Sequence, residues 1–399
     1  MRIVLHHRTQ GQGVEGVHLL GMAHGFELRG CRVVIASPPG VEIGMAGEAP
    51  AGGRGLRRIW YHLAERAPEI LFELSEIAYN LPAFLRLRAA AAAHSSELIY
   101  ERYAFFNLSG LWVARARRVP LVVEANYTMA TPLYRRRSRL LAPLARAIER
   151  HLFRRADRIV AVSSYLRDQI VATGIPASRV LVVPNAADPA RFHPDPAAGE
   201  RVRGRFGLRG AKVIGFSGAF FPWHGVDMIV EALPSIIARV PNAAVLLLGD
   251  GPQRGTLVEL ARSKGLEDRV KIAGWVGHEE LPAHVAAFDV AVMPDSNEYG
   301  SPMKIYEYMA MGVPVVAPRL GPLADGIVDG ETGRLVPRRD LASFAGALVD
   351  LLSDETLRSR MGARAADHVA RNHTWERNAA RVLESLAPAG ADTVGPGPI

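Results

Sequence analysis

The stretch YGSPMKIYEYMAMGVPVVA, residues 299–317, reads as a helix handing over to a strand. Ser301 stands where an N-cap belongs and Pro302 at the first helical position; Gly312 stops the helix, and VPVVA follows as a short apolar strand. One residue is out of place. Lys304 falls in the first turn, at the positive end of the helix dipole, where a cation is unfavourable by roughly a few tenths of a kcal/mol or more unless an anion lies there too. The fold and the function both follow from asking what surrounds this unit.

Short β-branched runs bounded by turns recur on either side of it. RIVLHH, RVVIAS, ELIY, PLVVE, RIVAVS and VLVVP occupy the first half; KVIGFS, AAVLLLG, RVKIAG, FDVAVM, VPVVA and RLV occupy the second. Longer amphipathic or Ala/Leu/Arg-rich segments lie between most of them, which predicts βα units and mainly parallel sheets. The α/β chain is therefore expected to form two Rossmann-like domains facing each other across a cleft, with ligand loops at the carboxyl ends of the strands. The expected division is an N-terminal acceptor domain over 1–190, a Pro/Asp/Gly-rich linker over 191–210 and a C-terminal nucleotide domain over 211–370. A helix over 371–386 is expected to cross back to the first domain, and the tail 387–399 to be disordered.

Composition narrows the function classes. The 399 residues are 49% hydrophobic and 22% charged, as in a well-packed chain of two ordinary domains. The single cysteine, Cys31, excludes an internal disulfide framework and points to a reducing compartment. MRIVLHHR is too short an apolar run for an export signal, and no apolar stretch is long enough to span a bilayer, so the expected location is the cytoplasm. Charge is uneven: residues 1–200 hold 26 Arg and no Lys against 17 acidic residues, or +9, whereas the remainder holds 22 basic and 23 acidic residues, or −1. The excess gathers at residues 134–158, YRRRSRLLAPLARAIERHLFRRADR, where arginines alternate with apolar residues at helical spacing. A solvated helix face and a peripheral contact with an anionic membrane both fit that pattern. No paired zinc ligands and no RNP-like strand suggest nucleic acid.

The candidate chemistry lies in the loops after the strands. In the first half Gly11, Gly13 and Gly16 lead from a strand into a helix and match G-x-G-x-x-G literally. The acidic ribose partner of a dinucleotide site is missing, since RVVIAS ends at Ser37 and Pro38. In the second half Ser217 and Gly218 end a strand, His224 and Gly225 precede a helix, Gly249 opens the next turn, and Gly277 follows a third strand. These loops converge on the opening stretch. Ser301, the free amides at the helix start and Lys304 form a phosphate cradle, and Glu307, on the same helical face, is placed to accept the hydroxyls of a ribose. A nucleoside diphosphate satisfies both; a surface Lys304–Glu307 ion pair is the structural alternative.

With these residues the chain resembles the retaining, GT-B-fold sugar-nucleotide glycosyltransferases of glycosyltransferase family 4. The resemblance is carried by GAFFPWHGVDMIVEAL, LLLGDGPQRGTLVELA, DRVKIAGWVGHEELP, DVAVMPDSNEYGSPMKIYEYMAMGVPVVA, ADRIVAVSSYLRDQI and VLVVPNAADPARF. It implies transfer of a hexosyl group from a nucleotide-diphosphate sugar, UDP- or GDP-linked, to an acceptor hydroxyl in polysaccharide or glycoconjugate synthesis, with retained configuration, no cofactor and no metal. Carried over position by position, the donor pocket comprises Ser217, Gly218, His224, Gly225, Gly249, Gly277, Tyr299, Gly300, Ser301, Pro302, Met303, Lys304 and Glu307. Lys304, Glu307, His224 and Asn126 are the catalytic candidates, and Gly13, His18, Glu101, Arg102, Glu124 and Asn126 the acceptor side. Three positions depart from the family pattern. Ala219 and His224 replace the paired Arg and Lys, Tyr299 replaces the first of two glutamates with Glu298 one residue out of register, and Asn126 replaces a histidine. The rival readings are a GT-B-fold epimerase and a noncatalytic membrane- or partner-binding relative.

Overall fold

The computed structural model describes residues 1–44, 69–131 and 140–387. Residues 134–139 of the basic segment, and all of the expected tail except Ala387, lie outside the described residues. The twelve apolar runs read from the sequence are twelve strands: β1 Arg2–His6, β2 Arg32–Ala36, β3 Leu98–Arg102, β4 Leu121–Ala125, β5 Arg158–Ala161, β6 Val180–Val182, β7 Lys212–Ser217, β8 Ala243–Leu248, β9 Val270–Gly274, β10 Val290–Val292, β11 Val315–Pro318 and β12 Gly333–Val336. They form two six-stranded sheets of order β2-β1-β3-β4-β5-β6 and β12-β11-β10-β7-β8-β9. Pairing is parallel throughout.

Helices cover both faces of each sheet, which is why the strands read as near-continuous apolar runs. In the first sheet Val4, Ile99, Val123 and Ile159 join one core, while Ile3, Leu5, Leu98, Tyr100 and Val122 join a second core on the opposite face. That alternation is the strand period of two. In each sheet the strand order reverses once, between β1 and β3 and between β10 and β7, and a crevice opens at the carboxyl ends there.

The last helix, Trp375–Leu386, lies against the helix Gly13–Leu28 of the first sheet. The approach is close: a Cβ on Gly21 would stand 2.4 Å from the Trp375 ring, and one on Gly25 2.2 Å from the Trp375 carbonyl oxygen. Trp375 is buried in the same core as Ile3 and Leu5. Further ties hold the halves together. The Asn378 amide donates to the Pro184 carbonyl at 2.7 Å, the Ser163 hydroxyl donates to the Tyr299 carbonyl at 2.7 Å, and the Ser164 amide donates to Asp325 at 2.7 Å.

Candidate functional site

The helix of the opening stretch runs over Met303–Ala310, not from Pro302. Pro302 is extended, with φ −73° and ψ 121°, and itself occupies the N-cap position without a side-chain cap. The expected cap, Ser301, is engaged elsewhere: its Oγ accepts from the Asn185 backbone amide at 3.0 Å, across the domain boundary. The helix amides at Met303, Lys304 and Ile305 are thus left without the side-chain acceptor that a capping serine supplies. At the other end Gly312, at φ +72°, closes the helix: its amide donates to Met309 and the Val313 amide donates to Tyr308, the double bond of a Schellman motif. Tyr308 in turn holds the end of β7, accepting from the Ser217 amide at 2.7 Å.

Lys304 sits where this geometry converges. Its Nζ is buried, has no hydrogen-bond partner among the described residues, and lies 4.4 Å from the centre of the Phe216 ring. Burial lowers its pKa from 10.5 to about 8, the nearby Glu307 carboxylate only partly opposing that fall. Gly218 leaves room for the ammonium. A Cβ there would stand 2.5 Å from Nζ, and its φ of +135° is one that side-chain-bearing residues rarely adopt. The Gly218→Ala protein is therefore expected to fold, because Nζ is the far end of a flexible chain, but with the ammonium displaced. Titration by nucleotide diphosphate should show loss of most of the ligand-dependent rise in Tm.

Around Lys304 a cavity of about 450 Å³ opens at the carboxyl ends of β7 and β10, the switch point of the second sheet. Of the donor residues expected from sequence, Ser217, Gly218, His224, Gly249, Gly300, Ser301, Pro302, Met303, Lys304 and Glu307 line it, and Gly13 closes it from the first domain. Three do not line it. Gly225, at φ +62°, turns the chain against Asp295; Gly277 is exposed and its carbonyl accepts from the Leu281 amide; Tyr299 packs against the first domain's core. Glu298 does not line it either, being paired at 3.1 Å with Arg338.

His224 is not a charge donor in this site. Its pKa falls to about 4 through burial and then the neighbouring Lys304. Nδ1 faces the Ala219 carbonyl, an acceptor, so Nδ1 carries the proton and Nε2 presents a lone pair. Sequence reasoning missed His278, whose Nε2 donates to Glu307 Oε1 at 3.0 Å and thereby fixes the carboxylate, and it missed the half-exposed indoles of Trp223 and Trp275 on the cavity wall. HEE and GWV are unremarkable as text; only the fold of the β9 loop over the helix brings them to the site.

The first-domain residues behave differently from the expectation. Glu101 is fully buried and accepts from Asn107 at 2.9 Å and the Gly110 amide at 3.0 Å, with His6 at 2.7 Å. It is an internal brace for the helix Ser109–Arg117. Glu124 accepts from Tyr100 at 2.5 Å and Asn126 at 2.6 Å and lies 2.8 Å from His18 Nε2. Burial alone would raise the Glu124 pKa; the His18 pairing, with Arg102 and Tyr100, outweighs it and holds the carboxyl well below its usual range. None of His18, Glu101, Arg102, Glu124 or Asn126 lines the donor cavity. Among the described residues no group of three His, Cys, Asp or Glu side chains could hold a metal ion.

Comparison with known proteins agrees with this architecture. The family model described as Glycosyltransferase Family 4 matches residues 13–191, and that described as Glycosyl transferases group 1 matches residues 211–354. The chain is 34% identical over 253 residues to the GDP-mannose-dependent alpha-(1-6)-phosphatidylinositol monomannoside mannosyltransferase of Mycolicibacterium smegmatis, a match covering 62% of this chain and 66% of that protein. It is 33% identical over 335 residues to the D-inositol 3-phosphate glycosyltransferase of Kineococcus radiotolerans, covering 77% of this chain and 75% of that one. In three dimensions it resembles Anabaena Alr3699/HepE, solved in complex with UDP, with a TM-score of 0.73, 19% identity and coverage of 97% and 99% of the two chains. Two parallel sheets in the GT-B arrangement, a family model on each half and relatives above 30% identity over most of their length place the chain in glycosyltransferase family 4.

Proposed function

We propose that the chain transfers a hexosyl group, with retention, from a nucleotide-diphosphate sugar to an acceptor hydroxyl. The observation that carries this reading is the buried, unpartnered ammonium of Lys304 beside an uncapped helix start at the switch-point crevice. An ammonium in that position is uncompensated without an anion, and a diphosphate supplies one. Lys304 and the amides of Met303 to Ile305 hold the leaving diphosphate, Glu307 the ribose, and the aromatic wall of Trp223 and Trp275 the flatter parts of the donor. Because the acceptor hydroxyl enters on the face from which the diphosphate departs, positioning and charge stabilisation do the chemical work, and a strong general base is not needed. A mannosyl donor carried on GDP is favoured by the mannosyltransferase likeness, and UDP-sugars are the alternative.

A thermal screen of GDP-, UDP- and ADP-sugars tests the proposal. A donor at about 100 times its Kd should stabilise the protein by about 2.7 kcal/mol. No stabilisation by any nucleotide diphosphate would overturn the reading.

The basic segment gives a second expectation. On the helix Ala142–Arg155, Ala145, Leu152 and Phe153 pack inward while Arg146, Arg150, Arg154 and Arg155 are exposed, and Leu140 and Leu144 are exposed beside them. Among the described residues no helix is long and apolar enough to cross a membrane. A peripheral contact with anionic lipid through this face should give vesicle binding that rises with anionic lipid content and declines with salt, the charges being screened over about 8–10 Å at physiological ionic strength. Equal binding to neutral and anionic vesicles would return the helix to an ordinary solvated face.

A further inference from the structure

We propose that His224 and Asn297 are the specificity-determining residues for the transferred sugar, an uncharged pair in which His224 Nε2 accepts from one sugar hydroxyl and Asn297 Nδ2 donates to another. The proposal rests on the transferase reading above and adds the side chains that discriminate among donor sugars.

The strand order of the second sheet decides which end of the cavity the sugar occupies. β9 stands at one edge, and the loop after it brings Trp275 and His278 to Glu307, the ribose end. β10 stands on the far side of β7 from β8 and β9, and Ser296 and Asn297 follow it onto the cavity wall. With the diphosphate on Lys304 between the two ends, the sugar is left to the loops after β7 and β10. Those loops are fastened to each other. The Asp295 amide donates to the His224 carbonyl at 3.1 Å, and a Cβ on Gly225 would stand 3.1 Å from the Asp295 Cβ.

Most polar side chains around the cavity are already engaged. Ser217 Oγ lies 2.8 Å from the Tyr308 hydroxyl, Ser301 Oγ accepts from the Asn185 amide, and His278 holds Glu307. The carboxylates of the β10 loop are taken as well: Asp295 accepts from Arg338 at 2.7 Å and Arg339 at 3.1 Å, Glu298 accepts from Arg338 at 3.1 Å, and neither lines the cavity. What remains at the sugar end carries no charge. His224 Nδ1 donates to the Ala219 carbonyl, so Nε2 is an acceptor; burial, then the neighbouring Lys304, keeps a second proton off the ring at neutral pH. Asn297 is its complement. Its Oδ1 accepts from the Gly300 amide at 2.5 Å and the Tyr299 amide at 3.2 Å, which fixes the orientation of the amide and leaves Nδ2 with no acceptor among the described residues. The Ser296 hydroxyl, on the same loop, can give or accept.

A sugar hydroxyl satisfies either partner of such a pair, since it both donates and accepts. The carboxylate of a hexuronate does not. It would face the lone pair of His224, and among the described residues the only Lys or Arg lining the cavity is Lys304, which the diphosphate engages. The pair therefore selects an uncharged hexose by leaving the wrong charge unpaired.

Calorimetric Kd values for a free diphosphate, its hexose ester and its hexuronate ester test this, with GDP, GDP-mannose and GDP-mannuronate as one set and UDP, UDP-glucose and UDP-glucuronate as the other. The parent should bind the hexuronate ester at least about 10-fold more weakly than the hexose ester. His224→Asn keeps a donor for the Ala219 carbonyl and removes only the Nε2 acceptor; Asn297→Asp keeps the acceptor for the Gly300 amide and removes only the donor. Each should raise the ratio of hexose-ester Kd to free-diphosphate Kd by about 3–10-fold, and His224→Gln, which can return an acceptor to the Nε2 position, should restore part of it. A loss of fold would weaken both ligands together, and the ratio separates that from a loss of sugar contacts. If the parent binds no nucleotide diphosphate, the donor reading fails and this assignment falls with it. If the diphosphate binds but the ratio is unmoved in both variants, or the parent accepts the hexuronate ester as tightly as the hexose ester, the proposal is overturned while the donor reading stands.

Discussion

Lys304→Met is expected to lower turnover at least about 100-fold, the scale of losing one preorganised donor at a developing anion, while making the ligand-free protein more stable. The two effects have one cause. Folding buries the ammonium without a partner and lowers its pKa from 10.5 to about 8, so the charged form is penalised in the native state. That penalty is full below pH 8, is relieved as pH rises from 8 towards 10.5, and amounts to on the order of 2–3 kcal/mol at neutral pH. Methionine fills the same channel over Phe216 without a charge, so the variant should melt higher than the parent at pH 7 and the gap should close by pH 10. A bound diphosphate reverses the situation in the parent. It raises the lysine pKa again, so donor binding takes up a proton and donor affinity should fall as pH rises above about 8, by up to about tenfold per unit. Paired melts with and without nucleotide diphosphate at pH 7 and 10, together with initial rates at saturating donor, check both signs. A Lys304→Met protein that melts lower yet transfers sugar normally would make the lysine structural.

Twelve strands and their parallel pairing could be read from the sequence because both faces of each sheet are covered, so that every strand is a run of apolar residues between turns. The convergence of Ser217, Gly218, Gly249 and Lys304 on one cavity could be read too, since strand-end loops of a parallel sheet must share an edge. Local caps were harder. Ser301 has the residue type and position of an N-cap, yet Asn185, 116 residues away in sequence, takes its hydroxyl, and no local rule reports a competitor that arrives through tertiary folding. His224 was legible as a catalytic candidate, but not as a neutral one: burial and then the neighbouring Lys304 keep it uncharged, against the opposing hydrogen bond to the Ala219 carbonyl. On the acceptor side, Glu101 and Glu124 were legible as polar residues at strand ends, but not as carboxylates held from within, Glu101 through Oε1 by His6 and Asn107 and Glu124 by Tyr100 and Asn126. A carboxylate at a strand end reads the same whether its partner is a ligand or a buried side chain. The difference lies in distances, which a sequence does not carry.

Glu307, three residues beyond Lys304, should respond to mutation in a different kinetic parameter, and that separation tests the assignment of the whole helix. Its Oε1 accepts from His278 Nε2 at 3.0 Å, which leaves Oε2 as the oxygen presented to a ligand, and the residue is buried on the cavity wall. In Glu307→Gln the amide oxygen can keep the His278 bond, and the amide nitrogen then takes the place of Oε2. The shape is conserved, but an acceptor has become a donor facing ribose hydroxyls that need an acceptor. Loss of those charge-assisted bonds should cost roughly 1.5–3 kcal/mol, a donor Kd weaker by about 10–100-fold. The ribose is remote from the bond that breaks and is held equally in the ground and transition states, so KM should rise with kcat little changed. Lys304 faces the group on which charge develops, so its loss falls on kcat. His278→Ala, which frees the carboxylate to wander without changing its chemistry, should weaken the donor less than Glu307→Gln does. Isothermal titration with nucleotide diphosphate and steady-state rates on the three proteins distinguish the roles. Unchanged donor affinity in Glu307→Gln would remove the ribose from this helix, and a fall in kcat without a rise in KM would place Glu307 at the reacting centre instead.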